Sequence, residues 1–490
     1  MSRLTKPGPL LAVGLGVTTF AASVWIAAAN HSLDATRTQA LFAFYFLVGT
    51  IGTGVLAGLE QEMTRTVARA HAAGRPVGAA VRRQLRQAVG LAVVTVVLLV
   101  AGSPLLLSHW LGHSWPLVLA LLTGLAATWA SFLVRGVLAG CQDFVFYSGT
   151  LVVQGVATIV PSLLLTVMGS GHVLGYAFVF ALAPLVAALS GLLSPALRRS
   201  WRATSVGVAD SDDGSDDAGG DTEATASDKT TADVEDEPGG SAREKLVLLT
   251  LATLVSQLVI NAVPLIIAPR LAGGDRLSQE LGKTLSSSMG LSRMALLCLF
   301  PLQAPLLPLL AAAAVRRDFR DVRRKTGLLV AACLGAGALG VIAVVAVGPW
   351  LLTSYFHTSA PLSRTFLSAL AVSTAFLMTG FVLQSAQVAL NRHRVVLVSW
   401  LAGLVAMAAV FALSLPPLDA AAWAGIVGPL VVTVIAAVDV LAVTRPTPMG
   451  TVVGARTGSH DESSVESVES VESVESTVAS AVSATEGVRS

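Results

Sequence analysis

The amino-acid sequence predicts an all-α integral membrane protein with about twelve transmembrane helices in two six-helix lobes. Three observations support this prediction: an apolar composition, an alternating distribution of basic residues, and an internal repeat. Of the 490 residues, 54% are hydrophobic and 13% are charged, whereas about 25% of the residues in a typical soluble domain are charged. The mean hydropathy of +0.73 is typical of a protein whose helices face lipid.

Twelve segments are long and apolar enough to cross a bilayer, which takes roughly 20 residues. A helix is expected for each, because lipid offers no hydrogen-bond partner to an unpaired backbone group. The first segment has 21 residues and is interpreted as a retained helix rather than a signal peptide. The segments are 9–29, 38–62, 86–108, 115–140, 146–169, 173–197, 246–268, 285–313, 326–347, 361–389, 393–415 and 419–443.

Two polar regions interrupt or follow these segments. The stretch 203–242 contains twelve acidic side chains and one basic side chain, Lys229, a composition that cannot build a core and predicts disorder. The tail contains the low-complexity triplet repeat SVESVESVES, which also predicts a solvated segment. The predicted organisation is an N-lobe at 1–199, an acidic disordered cytoplasmic linker at 200–243, a C-lobe at 244–445 and a disordered low-complexity cytoplasmic tail at 446–490.

The basic residues predict the orientation of the chain. With the N-terminus placed in the cytoplasm, 26 Lys and Arg fall on the inside and five in the outer loops. Cytoplasmic loops of membrane proteins carry such an excess, so both termini are predicted to be cytoplasmic. The Arg-rich composition, with 27 Arg and 5 Lys, suggests a GC-rich genome and hence the bacterial cytoplasmic (inner) membrane. The basic clusters lack interleaved aromatic residues for base stacking, which argues against nucleic acid as a partner.

An internal repeat relates the two lobes. GSPLLLSHWLGHSWPL begins at Gly102, and GPWLLTSYFHTSAPLS begins at Gly348, 246 residues later. Six apolar segments separate the copies, an even number, so both copies have the same orientation. The sequence therefore predicts a parallel repeat about an axis along the membrane normal, with a cavity between the lobes suited to alternating access.

The sequence indicates neither an enzyme nor a cofactor or metal centre. His109 and His113 are four residues apart, as two metal ligands on a helix would be. No third ligand is near, and the neighbouring Trp110 and Trp115 indicate an interfacial aromatic belt instead. No ATP-binding motif is present, so a transporter built on this chain would draw on an ion gradient, the membrane potential or the substrate gradient.

Polar residues inside the apolar segments are the candidate lining of a substrate cavity. Arg293 lies in the eighth segment, where a charged side chain costs roughly 2.5–3.5 kcal/mol on insertion scales. It is interpreted as facing a cavity, with snorkelling to the outer interface as the alternative.

Two helical stripes and one further Arg complete this set. The fifth and seventh segments each carry polar residues at i, i+4 and i+8, on one helix face. Such stripes could line a hydrophilic cavity and form hydrogen bonds with sugar hydroxyls. Ordinary hydrogen bonding between helices explains them equally well. The predicted substrate-cavity residues are Arg293, Gln257, Asn261, Gln154, Thr158 and Arg135.

The second segment ends in GLEQEMTRTVARA, and this ending resembles that of the polysaccharide-biosynthesis flippases of the multidrug/oligosaccharidyl-lipid/polysaccharide exporter superfamily. The eighth segment, LSRMALLCLFPLQAPLLPLLAAA, is similar to the Arg-then-PLQ…LLP pattern of actinobacterial relatives. The resemblance covers about 9–200 and 245–443. The positions that match the first motif are Gly58, Glu60, Thr64, Arg65 and Ala68.

The resemblance implies transport of a polyprenyl-diphosphate-linked saccharide, a cell-surface polysaccharide precursor, from the inner to the outer leaflet. It further implies membrane lipid as surroundings and a glycosyltransferase or polymerase of the same pathway as a partner. The Arg side chain matches phosphate geometry, which suits the Arg residues among the candidates. Glu60 and Arg65 are five residues apart, a spacing that does not favour their pairing on a helix. They are predicted to form a gate at the cytoplasmic mouth of the cavity.

Three alternative functions remain open. The first is a multidrug or cation antiporter of the same fold, which usually needs a buried carboxylate; segments one to six show none at mid-membrane depth. The second is a major-facilitator transporter, whose loop after the second span carries a Gly…Asp-Arg…Gly-Arg pattern, whereas no Asp lies in 58–75. The third is a non-transporting scaffold of a polysaccharide or cell-wall assembly complex that uses the linker and the tail.

Overall fold

The computed structural model describes residues 7–72, 77–195, 197–198, 242–292, 318–360 and 362–445, together with the single residues 296, 310 and 316. All regular structure within these residues is helical, which confirms the all-α class. Eleven of the described helices are long and apolar enough to cross a membrane. The eighth predicted segment lies mostly outside the described residues, and the predicted acidic linker and tail do so almost entirely.

The helices of the first half follow the predicted segments. The second segment is longer than predicted, because α2 and α3 join through a π-helical turn at Val48–Thr53 into one span over Ala35–His71. The charged stretch after residue 62, where the predicted segment ends, remains helical to Ala72. Its Met, Arg and Ala residues favour a helix. The bounds are α1 (Pro7–Ser32), α2 (Ala35–Leu47), α3 (Gly54–Ala72), α4 (Val77–Ala101), α5 (Ser103–His109), α6 (Trp115–Gly140), α7 (Phe144–Val167) and α8 (Val173–Gly191).

The second half is built in the same way. Most of the basic stretch at 316–325, predicted as a loop, forms the first turns of a helix. That helix begins after Asp318, whose carboxylate accepts a hydrogen bond from the backbone N–H of Asp321 and so caps the helix. The bounds are α9 (Ala242–Ala272), α10 (276–292), α11 (Phe319–Trp350), α12 (Arg364–Ala389), α13 (His393–Ala412) and α14 (Pro417–Val443).

Helix packing follows the same pattern in the two halves. In the first half α1 packs on α7, and α8 packs on both α6 and α7. The equivalent pairs of the second half are α9 on α13, and α14 on both α12 and α13. The turns also correspond, because Gln142 after α6 and Asn391 after α12 have φ angles of 58° and 62°. In each turn the next residue donates its N–H to a carbonyl five residues earlier, at 2.9 Å.

The two halves meet along α3 and α9. A Cβ atom on Gly54 would lie 3.0 Å from the Cα atom of Leu254, and one on Gly58 would lie 2.5 Å from the hydroxyl of Thr250. The helices can approach this closely because neither glycine has a side chain. This contact brings one face of α9 against the first half of the chain.

Candidate functional site

A buried guanidinium lies inside the first half of the bundle. Arg135 on α6 is 8% exposed. Its Nε donates to the hydroxyl of Thr150 at 3.2 Å, and its Nη2 donates to the Oε1 of Gln154 at 2.6 Å. Both partners lie on α7, four residues apart and therefore on one helix face. The structure thus brings together two of the predicted site residues, Arg135 and Gln154.

A carboxylate joins this group through a tyrosine. The hydroxyl of Tyr147, on the same face of α7 one turn before Thr150, donates to the Oε1 of Glu60 at 2.8 Å. The hydroxyl of Thr150 donates in turn to the backbone carbonyl of Tyr147 at 2.7 Å. Hydrogen bonds therefore connect α3, α6 and α7. We call Glu60, Arg135, Tyr147, Thr150 and Gln154 the N-lobe polar cluster.

Small residues on α6 allow this cluster to form. A Cβ atom on Gly136 would lie 2.8 Å from the Cβ of Met63 and 3.0 Å from the carbonyl oxygen of Glu60. A Cβ on Gly140 would lie 2.6 Å from the Cβ of Val67. The Gly-x-x-x-Gly spacing thus permits close packing of α3 on α6. Since Gly136 follows Arg135 directly, the same contact holds Glu60 near the guanidinium.

The charges of the cluster interact without a direct ion pair. Glu60 and Arg135 are close enough to influence each other electrostatically. Their side chains do not, however, form an ion pair with each other in the described part of the chain. The cationic group is therefore bonded to a neutral hydroxyl and a neutral amide, which an anionic ligand could displace. A hydrogen bond to a charged partner is roughly twice as strong as one between neutral groups.

The remaining members of the predicted cavity lie elsewhere. Thr158 is buried on α7, and its hydroxyl donates to the Gln154 carbonyl of its own helix at 2.9 Å. Gln257 lies where α9 meets α3, 3.5 Å from a Cβ built on Gly54. Asn261, 1% exposed, donates to the Gln257 carbonyl at 2.8 Å, while its Oδ1 has no partner in the described structure. Arg293 lies outside the described residues.

The two predicted gate residues are separated. Glu60 bonds Tyr147 inside the bundle, and Arg65 forms an ion pair with Glu62 at 3.0 Å, one turn away on the same helix. The Arg65 side chain is 45% exposed. Glu60 thus lies within a continuous helix rather than at its end, because α3 continues to Ala72.

Tyr147 is the cluster member that lies outside every predicted set, including the polar stripe of the fifth segment, which consists of Thr150, Gln154 and Thr158. It stands three residues before Thr150 and seven before Gln154, so it extends the polar stripe of α7 by one turn. Helical spacing alone could have found it. Its partner Glu60 could not be found in this way, because their contact depends on the approach of α3 to α6.

The histidine pair does not form a metal site with other described residues. Within the described ranges no three His, Cys, Asp or Glu residues are placed to hold a metal ion. His109 ends α5, where its ring nitrogen bonds Ser108 and its ring contacts Trp110. His113 lies in the following turn with a φ of 59°. The position in a turn beside Trp110 fits an interfacial aromatic belt.

The fold matches that of solved membrane transporters, whereas no family model and no curated protein sequence matches the chain. An inward-facing multidrug resistance MATE family transporter of the MOP superfamily aligns with a TM-score of 0.61 at 15% identity, over 88% of this chain and 95% of that one. An outward-facing one aligns with a TM-score of 0.60 at 15% identity, over 89% and 96%. A MOP superfamily transporter from Pyrococcus furiosus, described as having a binding pocket of reverse polarity that suggests a different function, aligns with 0.59 at 16% identity, over 90% and 96%.

These matches define the class of structure. The chain has the fold of MOP superfamily transporters, as the sequence resemblance implied. The narrower flippase family rests on the sequence motifs alone.

Proposed function

We propose that the chain is an alternating-access transporter that moves a polyprenyl-diphosphate-linked saccharide from the inner to the outer leaflet of the bacterial cytoplasmic membrane. The observation that carries this proposal is the buried Arg135, whose guanidinium bonds two neutral side chains among the described residues, Thr150 and Gln154. A diphosphate entering a lipid-surrounded cavity needs a cationic partner, and the planar guanidinium fork fits phosphate oxygens. The displaced amide and hydroxyl would then be available to sugar hydroxyls. The fold, seen in both inward- and outward-facing transporters, supports alternating access.

The second half of the cavity is proposed from the face of α9 toward α3. Gln257 lies against Gly54, and the buried Oδ1 of Asn261 has no partner within the described residues. A buried oxygen without a donor costs free energy unless a ligand or water satisfies it. We propose that the donors are saccharide hydroxyls, with Arg293 as a second contact to the diphosphate.

A multidrug exporter of the same fold is the second candidate. The observation that favours it is Glu60, a carboxylate inside the bundle that accepts a hydrogen bond from Tyr147. A cationic substrate would bind this carboxylate and be repelled by Arg135, whereas an anionic substrate would do the reverse. The two candidates therefore predict opposite effects of removing each charge.

Reconstituted proteoliposomes separate the two candidates. We expect Arg135→Gln to lower the translocation rate of a polyprenyl-diphosphate-linked saccharide about tenfold or more, since a hydrogen bond to a charged group contributes roughly 1.5–3 kcal/mol. Arg69→Gln is the matched control, because it removes an exposed Arg of α3 that belongs to neither the proposed cavity nor the predicted gate, and we expect a normal rate. Glu60→Gln should retain part of the activity toward this substrate.

The contrary result is equally specific. Normal saccharide-lipid transport in Arg135→Gln, with loss of cationic drug transport in Glu60→Gln, would establish the exporter and overturn the flippase proposal. Loss of drug transport is informative only if Glu62→Gln, the carboxylate control two residues away, keeps it.

A further inference from the structure

The two halves of the chain are joined by hydrogen bonds at one end of the bundle, where α1 ends and α2 begins. The Nδ2 of Asn30 donates to the hydroxyl of Ser287 at 2.8 Å, and the Nε2 of Gln39 donates to the carbonyl of Gln279 at 2.7 Å. Lys283 donates from its Nζ to the carbonyl of Asn30 at 3.0 Å. The basic-residue distribution predicts that this end is outside the cell. We call the contact of these five residues the outer junction.

Lys283 is a buried cation with a neutral partner. It is 5% exposed, and its acceptor is a carbonyl of the last turn of α1, the end of a helix that attracts cations. Glu280 and Asp34 are near enough for their charges to act on Lys283. Neither forms an ion pair with it among the salt bridges of the described chain.

A second acceptor for Lys283 is available on its own helix. Glu280 precedes it by three residues on α10, a spacing at which Glu and Lys side chains can pair. In this structure the Oε2 of Glu280 is buried without a hydrogen-bond partner in the described residues. If the bond to Asn30 breaks, Lys283 can therefore turn to Glu280 without any movement of the backbone of α10.

The outer junction also leaves other oxygens unsatisfied. Four buried side-chain oxygens in or beside it have no hydrogen-bond partner within the described residues: the Oδ1 of Asn30, the Oε1 of Gln39, the Oε2 of Glu280 and the Oγ of Ser286. Each costs free energy while the junction is closed, and water would satisfy it when the junction opens. The direct bonds favour closure and the unsatisfied oxygens favour opening, which is the balance that a gate requires.

We propose that Lys283 is the latch of an outer gate, bonded to the carbonyl of Asn30 when the gate is closed and to Glu280 when it is open. This inference rests on the proposed alternating access, but it does not depend on the identity of the substrate. Glu280 competes with Asn30 for the same ammonium group. Removing Lys283 should therefore open the gate, whereas removing the charge of Glu280 should close it.

Thiol labelling from the outer side of intact cells measures the two positions. The reporter is Ser286→Cys, at a residue 2% exposed in the closed junction, after the native Cys141, Cys298 and Cys333 have been replaced by Ser. We expect Lys283→Met, which keeps an unbranched side chain, to raise the labelling rate by a membrane-impermeant maleimide about tenfold. Glu280→Gln should lower the labelling rate about twofold, which corresponds to the free energy of an exposed ion pair at this spacing. Arg276→Met is the matched control at the exposed start of α10 and should leave it unchanged.

The double variant completes the test. In Lys283→Met, the further change Glu280→Gln should have no effect, since the competing cation is gone. A faster labelling rate in Glu280→Gln alone, or the same twofold effect in the Lys283→Met background, would overturn the proposal. Misfolding cannot imitate the expected decrease, because a disordered junction labels faster. Labelling needs no substrate, so a failure of the transport assay leaves this result interpretable.

Discussion

The packing of α3 on α6 makes a quantitative prediction for Gly136→Ala. The added Cβ would lie 2.8 Å from the Cβ of Met63 and 3.0 Å from the Glu60 carbonyl, and ordinary contacts begin at 3.4 Å. To relieve the closer contact, α3 must move away by about 0.6 Å. The bond of 2.8 Å between Tyr147 and Glu60 would then stretch toward 3.4 Å, beyond the usual range of roughly 2.5–3.0 Å for two oxygens.

The stability change follows from the same geometry. Overpacking costs about 1–3 kcal/mol, and the better helix propensity of Ala returns roughly 1 kcal/mol. We therefore expect a net destabilisation of up to about 2 kcal/mol, read as a lower Tm of the detergent-solubilised protein. The matched control is Gly90→Ala on α4, where a Cβ would meet no atom within 4 Å. In this control only the helix propensity improves, so the Tm should rise slightly.

The transport rates of these two variants test whether the close packing at Gly136 builds the site. Gly136→Ala should reduce transport, because it separates Glu60 from the rest of the N-lobe polar cluster, and Gly90→Ala should not. Equal Tm values and equal transport rates for the two variants would refute the claim that the close approach at Gly136 builds the site.

Three further predictions follow from other parts of the chain. Asn261→Leu removes a buried oxygen that has no partner among the described residues, so it should change the free energy of unfolding by no more than about 1 kcal/mol while lowering transport; a large fall in Tm would show that the amide is structural. Burial lowers the pKa of Lys283, whereas the charges of Glu280 and Asp34 act in the opposite direction. The closed gate therefore disfavours the protonated amine. Closure should increase as the pH rises toward 10.5, the ordinary pKa of a lysine. Labelling of Ser286→Cys, divided by the rate in Lys283→Met to remove the pH dependence of the thiol, should fall over that range; a constant or rising ratio would contradict the latch. Deleting 203–241 and 446–490 should leave transport intact, since the proposed site lies entirely in helices; abolished transport in a normally inserted deletion variant would favour the scaffold hypothesis.

Hydropathy and charge were sufficient to predict the membrane fold. The eleven spanning helices fall on predicted segments because each must pair its backbone groups internally over a bilayer's thickness. The repeat also has a structural counterpart, seen in the matching turns at Gln142 and Asn391. The ends of helices were predicted less well. The second segment was predicted to end at residue 62, although the charged residues that follow favour a helix and α3 continues to Ala72.

The candidate site was predicted in part, for a reason visible in its residues. Arg135 and Gln154 stand out because polar side chains are rare in apolar segments, and each was identified on its own helix. Their contact with each other, and the link to Glu60 through Tyr147, depend on how helices pack. Arg65 shows the converse, since a local partner, Glu62, was enough to satisfy it. The outer junction likewise could not be predicted, because it depends on the position of α10 against α1.

The most direct test of the proposed function is a gene deletion followed by analysis of polyprenyl-linked intermediates on each face of the membrane. The account predicts that a diphosphate-linked saccharide accumulates on the cytoplasmic face. It also predicts that wild type and Arg69→Gln clear this intermediate, whereas Arg135→Gln does not. An unchanged distribution of intermediates in the deletion strain, or full clearance by Arg135→Gln, would contradict the account.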